Sequence, residues 1–377
     1  MGLSSAQWKL DGGAKVLPSR PRRGGRPVLG LRHFSLAAVV VISVWLLAPP
    51  AALAWDYEGH RAVNQLALAA LPDDFPKFTR TPEAQERIAF LSGEPDRWRN
   101  AWDLPLRNGN GPDHYFDLEE LELCHIEPRA LTHFRYEFAA QLAVARATRP
   151  SAFAPIDPLR NTDHTRELIG FLPWTITEYY AKVKSAFSYL KEYAADGTPE
   201  EVANAEANVI YLMGVMGHFV GDAGQPLHTT KHFNGWVGEN PNGYTTNRTI
   251  HAWIDGGFFQ KAGLDLAALK AKVTPAHLVW PGDSQIRHED VFPVALGFIA
   301  QQQTKVEPLY RLEKEGKLTG EGPLVVDGRE FLNEQLLASS QLLANLWLTA
   351  WKQAPPDLYL KTQLEKRKQS HGGDAKP

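Results

Sequence analysis

The sequence predicts an all-α fold built as one large, mainly helical domain, and three observations predict it. Apolar residues recur at spacings of three and four along most of the chain beyond residue 55. Stretches that alternate apolar and polar with period two, the mark of half-buried strands, are few. Proline and glycine cluster between the periodic stretches, at 108–112, 224–226 and 235–243, with no long linker and no internal repeat. The composition is 44% hydrophobic and 22% charged over 377 residues, enough apolar mass for a sizeable core. A prior of about 150 residues per domain would allow two domains, but nothing in the middle of the chain separates them.

In chain order, the first segment differs in character from the rest. Lys9, Lys15, Arg20, Arg22, Arg23, Arg26 and Arg32 precede the apolar run 35–48, and Pro49-Pro50-Ala51-Ala52-Leu53-Ala54 follows it. A basic flank, a short apolar run and an A-x-A-like end form the pattern of a cleaved export signal. The run falls short of the roughly 20 residues that a membrane-spanning helix needs, an uncleaved anchor being the alternative. Residues 1–54 are therefore expected to be a signal peptide, with Trp55 the first residue of a periplasmic or secreted protein. Helices are then expected at 60–71, where Val63, Leu66, Ala67 and Ala70 share a face, and at 82–91, 131–146, 176–193, 199–219, 249–260, 291–310 and 329–353. The domain is expected to span 55–355, and the polar, charged stretch 356–377 to be a disordered tail.

Charge and cysteine content narrow the function classes. The leader holds seven of the 40 Lys+Arg and one of the 43 Asp+Glu, leaving 33 against 42, a net charge of −9. A protein that holds nucleic acid through its overall charge shows a basic footprint, and this one does not. Attraction for a phosphate substrate must come from something local, such as bound cations. The single cysteine, Cys124, excludes an intramolecular disulfide. Export without disulfides suits a bacterial periplasm or exterior better than a small stapled domain.

The strongest chemical signal is His218-Phe-Val-Gly-Asp222-Ala-Gly-Gln-Pro-Leu-His228. Positions four apart on a helix share a face, so His218 and Asp222 can converge on one point. Gly224 and Pro226 end the helix, letting His228 approach from another direction. His251-Ala-Trp-Ile-Asp255 repeats the spacing. Imidazole nitrogen and carboxylate oxygen are ligands that zinc accepts. One such pair alone would read as a surface ion pair. Two pairs on largely apolar segments, joined through His228, point to a metal, because buried ionisable groups need partners.

Upstream, Trp55-Asp-Tyr-Glu-Gly-His60, Asp96-Arg-Trp-Arg99 and Asp113-His114-Tyr-Phe-Asp117 complete a series. Together these motifs resemble the phospholipase C/single-strand nuclease superfamily of trinuclear zinc enzymes, typified by secreted fungal nucleases. The resemblance spans about residues 55–255, and the combination carries it rather than any one piece. It implies three Zn2+ ions: one held by Asp96, His114, His218 and Asp222, a second by His228, His251 and Asp255. The third would be held by the free amine and carbonyl of Trp55 with His60 and a shared Asp222. Cleavage after Ala54 would free that amine.

The resemblance also implies roles beyond the ligands. Zinc-activated water would hydrolyse a phosphodiester, with nucleic acid, single-stranded DNA or RNA, as the expected substrate of a monomeric enzyme. Arg99 would clamp phosphoryl oxygens, the alternative being a salt bridge to a ligand carboxylate. Tyr115 and Asp117 match positions that stack and hydrogen-bond a base, Tyr115 being equally suited to a core. Glu119 matches an acidic group near the attacking water. A phospholipase C acting on phospholipid head groups is the alternative enzyme, although Asp255 rather than Glu closes the ligand set. A non-enzymatic periplasmic zinc-binding protein is the third class. The long interval between His114 and His218 departs from compact members of the family and puts substrate specificity, not the ligands, in question.

Overall fold

The stretch that carries the first His-x3-Asp pair becomes the central helix of the molecule. The computed structural model describes residues 57–280 and 290–372. The expected signal peptide and Trp55 lie outside them. The helices are α1 (Tyr57–Ala70), α2 (Pro82–Leu91), α3 (Glu94–Arg99), α4 (Leu104–Asn110), α5 (Leu121–Cys124), α6 (Arg135–Thr148), α7 (Leu172–Asp196), α8 (Pro199–Gly224), α9 (Ile250–Ala252), α10 (Phe258–Ala262), α11 (Leu266–Lys270), α12 (Phe292–Gln303), α13 (Val306–Lys314), α14 (Val325–Lys352) and α15 (Leu358–Gly372). A π-helical turn, Trp253–Gly257, separates α9 from α10. Isolated bridges join Phe116 to Gly170 and Phe233 to Gly235. The protein is thus mainly helical, and among the described residues no helix is long and apolar enough to cross a membrane.

Helix α8 starts on a capping box: Thr198 Oγ1 accepts from Glu201 N, and Glu201 Oε2 accepts from Thr198 N. Pro199 sits at the first position, where its missing N–H costs nothing. The helix dives into the core, so that every residue from Met213 to Gly224 is buried. Helices α1, α2, α7 and α14 surround it. Close approach is possible because one stripe of α8 is glycine. A Cβ on Gly217 would lie 1.5 Å from Asn64 Oδ1, and one on Gly221 would lie 2.8 Å from His60 Nδ1. Asn64 uses the space to donate to Gly214 O at 3.0 Å and Ile88 O at 2.8 Å, tying α1, α2 and α8 together. The stripe brings His60 against the face that carries His218 and Asp222.

The interval between His114 and His218 is scaffold. Pro112 O, Tyr115 O and Ile169 O bond to the backbone N–H groups of Phe171, Leu172 and Asp117 respectively, Asp117 being the donor to Ile169. Gly170, at φ +99°, permits this pairing, since a Cβ there would meet Tyr115 O at 1.9 Å. Phe116, Phe138 and Trp174 seal the joint, all essentially buried.

Three expectations are corrected. The stretch 291–310 is two helices, because the Pro308 ring would collide with the carbonyl of Thr304 in a continuous helix. The stretch 249–260 is helical but widens into the π turn at Asp255. Within the expected disordered tail, residues 356–372 are ordered: α15 occupies Leu358–Gly372, capped by Asp357 Oδ1 accepting from Leu360 N. Leu360 and Leu364, one turn apart, are buried, and Arg367 forks onto Glu201 of α8 at 2.7 and 2.9 Å. Two leucines in a charged stretch were too sparse to stand out as a periodic face. Residues 373–377 lie outside the described residues.

Candidate metal centre

The first ligand group converges. His114 Nδ1 lies 2.9 Å from His218 Nε2 and 3.0 Å from Asp222 Oδ2, and His218 Nε2 lies 3.2 Å from Asp222 Oδ2. Asp96 Oδ1 is 3.9 Å from both ring nitrogens. A tetrahedron of atoms about 2.05 Å from zinc has edges of about 3.3 Å; the His114–His218–Asp222 face is close to that size, while Asp96 stands further off and groups with His60 and His218. Three elements place the four members: α3 gives Asp96, the 3-10 turn Gly111–His114 gives His114, and α8 gives the i, i+4 pair. Asp96 is 5% exposed and the other three are fully buried.

The second group forms where α8 ends. His228 Nε2 is 3.0 Å from His251 Nε2, which is 2.8 Å from Asp255 Oδ2. Asp222 links the two, its Oδ1 lying 3.6 Å from His228 Nδ1, and His60 lies against the first group, its Nε2 3.5 Å from Asp222 Oδ1 and its ring stacked on His218 at 3.9 Å. Trp55, the remaining expected ligand, lies outside the described residues, so the third position is represented by His60 and Asp222 alone.

Proton bookkeeping tests whether a cation fits. His218 Nδ1 is 2.6 Å from Ser92 O, and His228 Nδ1 is 2.5 Å from His114 O. A carbonyl only accepts, so both Nδ1 atoms carry hydrogen and each neutral ring turns a lone pair inward from Nε2. These lone pairs face other ring nitrogens and carboxylate oxygens in a buried space. Gln225 Nε2 donates to Asp255 Oδ1 at 2.5 Å, leaving Oδ2 to the cluster, while Gln225 Oε1 accepts from Leu227 N at 2.8 Å. Such orienting bonds behind the ligands are the arrangement that metal sites use. Burial pushes the Asp222 carboxyl up to about 6. Burial, with neighbouring imidazole and Arg99 charge, drives His114 and His228 well below the usual range. His218 is raised instead, because Asp222 and Asp96 outweigh its burial. Divalent cations there would hold the five imidazoles neutral and the carboxylates ionised. These buried imidazole and carboxylate groups could hold metal ions.

The remaining expected residues fall differently. Arg99 Nε sits 2.6 Å from Asp96 Oδ1, the salt bridge to a ligand carboxylate rather than a free clamp. Tyr115 is half-buried and its hydroxyl points to Leu168 O and Thr165 O at 3.4 and 3.5 Å, bracing the loop before Gly170. Asp117 is buried, and burial with the charges of Glu120 and Glu119 holds its carboxyl well above the usual range. A carboxyl kept protonated can donate a hydrogen bond. Glu119 Oε1 accepts from Lys231 N at 3.0 Å and from the Thr230 hydroxyl, just beyond His228. Its Oε2 is buried without a hydrogen-bond partner among the described residues.

Sequence reasoning did not single out Gln225, the Ser92 carbonyl, or Arg135. The Arg135 guanidinium binds Asp113 at 2.5 Å, Thr175 at 2.8 Å and Glu178 at 2.9 Å, fixing the residue before His114 to α7. Gln225 stood inside the His-x3-Asp-x5-His motif and could have been found there. No protein-family model matches the chain, and no curated protein matches it.

Proposed function

We propose that the protein is a zinc-dependent phosphodiesterase that hydrolyses single-stranded DNA or RNA. The observation that carries this reading is the convergence of His114, His218 and Asp222 on one point and of His228, His251 and Asp255 on another, each a set of donors able to hold a metal ion. Zinc held there would supply a water ionised near neutral pH and positive charge for the leaving oxygen.

The chain's own residues then divide the work. Asp96, His114, His218 and Asp222 form one side of the centre, and His228, His251 and Asp255 the other. Asp222 spans both positions of the first side through its two oxygens. Arg99 pairs with Asp96 and brings a guanidinium to the edge of the centre, where its remaining N–H groups can meet phosphoryl oxygens. Glu119, with one carboxylate oxygen unpaired, is the group suited to take the proton of an attacking water. Asp117 suits a base edge as a donor. Tyr115, its hydroxyl engaged by the protein, contributes ring surface only.

The test is a substrate panel on residues 55–377 with zinc, metal content being measured on the same sample. Faster hydrolysis of single-stranded DNA or RNA than of phosphatidylcholine supports the proposal. The reverse order moves the protein to the phospholipases, a reading that its net charge of −9 after removal of the leader favours.

A further inference from the structure

The outward seam between α7 and α8 is unusual for two surface helices. Positions 182, 185, 189 and 193 of α7 and 204, 208 and 211 of α8 follow helical spacing on facing sides of one groove, about 900 Å³ in volume. Solvent-facing stripes are normally charged or polar. Here the rings of Tyr189 and Tyr211 are 42% and 39% exposed, and Tyr193 is half-buried. Tyr189 and Tyr193 lie 6.1 Å apart at 61°. Exposed Asn204 and Asn208 also line the groove, as does Lys182, whose ammonium lies 4.3 Å from the centre of the Tyr179 ring. Glu201, the acid of this lining, is already neutralised by the Arg367 fork.

The groove and the metal centre share one helix: Asn204, Asn208 and Tyr211 lie on the stripe of α8 whose spacing runs on to His218 and Asp222. Tyr179 packs on Phe219 at 5.2 Å, and Phe219 lies 5.5 Å from the ring of His114 and 5.4 Å from that of His218. Along α8, Asn204 to His218 is about 21 Å at 1.5 Å per residue. Exposed aromatic faces with a cation and amides, set in a groove, are the features that hold single strands without regard to sequence. A lipid surface calls instead for a protruding hydrophobic face that can bury itself in the head-group layer, not a recessed groove.

We propose that this groove is a track for the single-stranded polynucleotide flanking the scissile phosphate, with bases stacked on Tyr211, Tyr189 and Tyr193 and the backbone near Lys182. The proposal rests on the reading of the metal centre as a nucleic-acid phosphodiesterase. It makes substrate length matter, since a strand of a few nucleotides reaches the metal centre without filling the track.

The experiment compares the zinc-loaded full chain with Tyr189→Ala/Tyr211→Ala and Tyr189→Phe/Tyr211→Phe. Binding of fluorescein-labelled phosphorothioate oligo(dT) of 25 and 3 nucleotides is followed by anisotropy, and KM and kcat are measured on the unmodified oligomers. Thermal midpoints check that the variants fold. The double alanine variant should weaken binding of the 25-mer about tenfold or more, from two lost stacking contacts. The change should appear in KM, the preference for the 25-mer over the 3-mer should shrink by the same factor, and phenylalanine should restore it. Equal affinity of the alanine variant and the parent for the 25-mer overturns the proposal. So does binding to phosphatidylcholine vesicles that falls with the same substitutions while the oligomer does not bind. A chain that binds the 25-mer through these rings but hydrolyses neither oligomer removes the phosphodiesterase reading and upholds the track.

Discussion

At the residue scale, the site is governed by where protons can sit. Ser92 O and His114 O force the Nδ1 protons of His218 and His228 outward, and that decision, made by two carbonyls, leaves Nε2 free for a cation. Asp222 is the member that touches both positions of the first side, through Oδ2 toward His114 and His218 and Oδ1 toward His60. Asp222→Ala is therefore expected to lose bound metal and hydrolysis together, measured by metal analysis and a phosphodiesterase assay. Retention of both would defeat the ligand assignment. Gln225→Leu leaves every ligand in place but frees Asp255 Oδ1. Its metal affinity, read by competition with a chelating dye, should fall about 10–100-fold. Arg99→Ala separates an enzyme from a zinc store: metal content should persist while the hydrolytic rate drops, on the order of 100-fold if the guanidinium meets the transferring phosphoryl group. The two His-x3-Asp pairs were readable from spacing, because a helix converts i, i+4 into a shared face, whereas Asp96, His114 and His60 were expected only through the family resemblance. The orienting groups were not readable, because a backbone carbonyl such as Ser92 O carries no side-chain signature.

At the element scale, α8 acts as the plate on which the site is mounted, and its glycines set the distances. Gly221→Ala would put a methyl group 2.8 Å from His60 Nδ1. The expected outcome is a folded protein with His60 displaced and less metal bound, checked by thermal midpoint and metal content on one sample. Gly217→Ala meets Asn64 Oδ1 at 1.5 Å, inside a network joining three helices. Overpacking of this kind typically costs about 1–3 kcal/mol, visible in denaturant unfolding. The helices at 82–91 and 199–219 were legible because proline and a capping residue mark their starts. Helix α15 was not, since its hold on the molecule comes from Arg367 and two leucines whose partners are remote in sequence. Arg367 pulls Glu201 down to about 2, so this pair contributes above the ordinary glutamate range and is lost as pH falls through about 2. The thermal midpoints of the parent and Arg367→Leu should accordingly converge between pH 5 and pH 2.

At the scale of the whole molecule, metal ions held at the buried centre would reconcile the acid-rich composition with the proposed phosphate substrate by concentrating positive charge there. A molecule built this way should depend on its metal for stability as well as for chemistry. An ion present at a thousand times its dissociation constant adds about 4 kcal/mol to the folded state. Chelation should lower the thermal midpoint by several degrees, and Zn2+ should restore it. The all-α architecture followed from periodicity alone. The role of residues 125–210 did not, because their work is to present backbone groups and Arg135 to the His114 segment, a purpose visible only in space.

The most direct test is anomalous scattering at the zinc edge from crystals of the chain processed to Trp55 and supplied with Zn2+. Peaks are expected about 2.0–2.2 Å from His114 Nδ1, His218 Nε2 and Asp222 Oδ2, and again from the paired Nε2 atoms of His228 and His251 with Asp255 Oδ2. A third is expected beside His60 and the Trp55 amine. Density confined to surface sites, with these buried groups empty, would contradict the account.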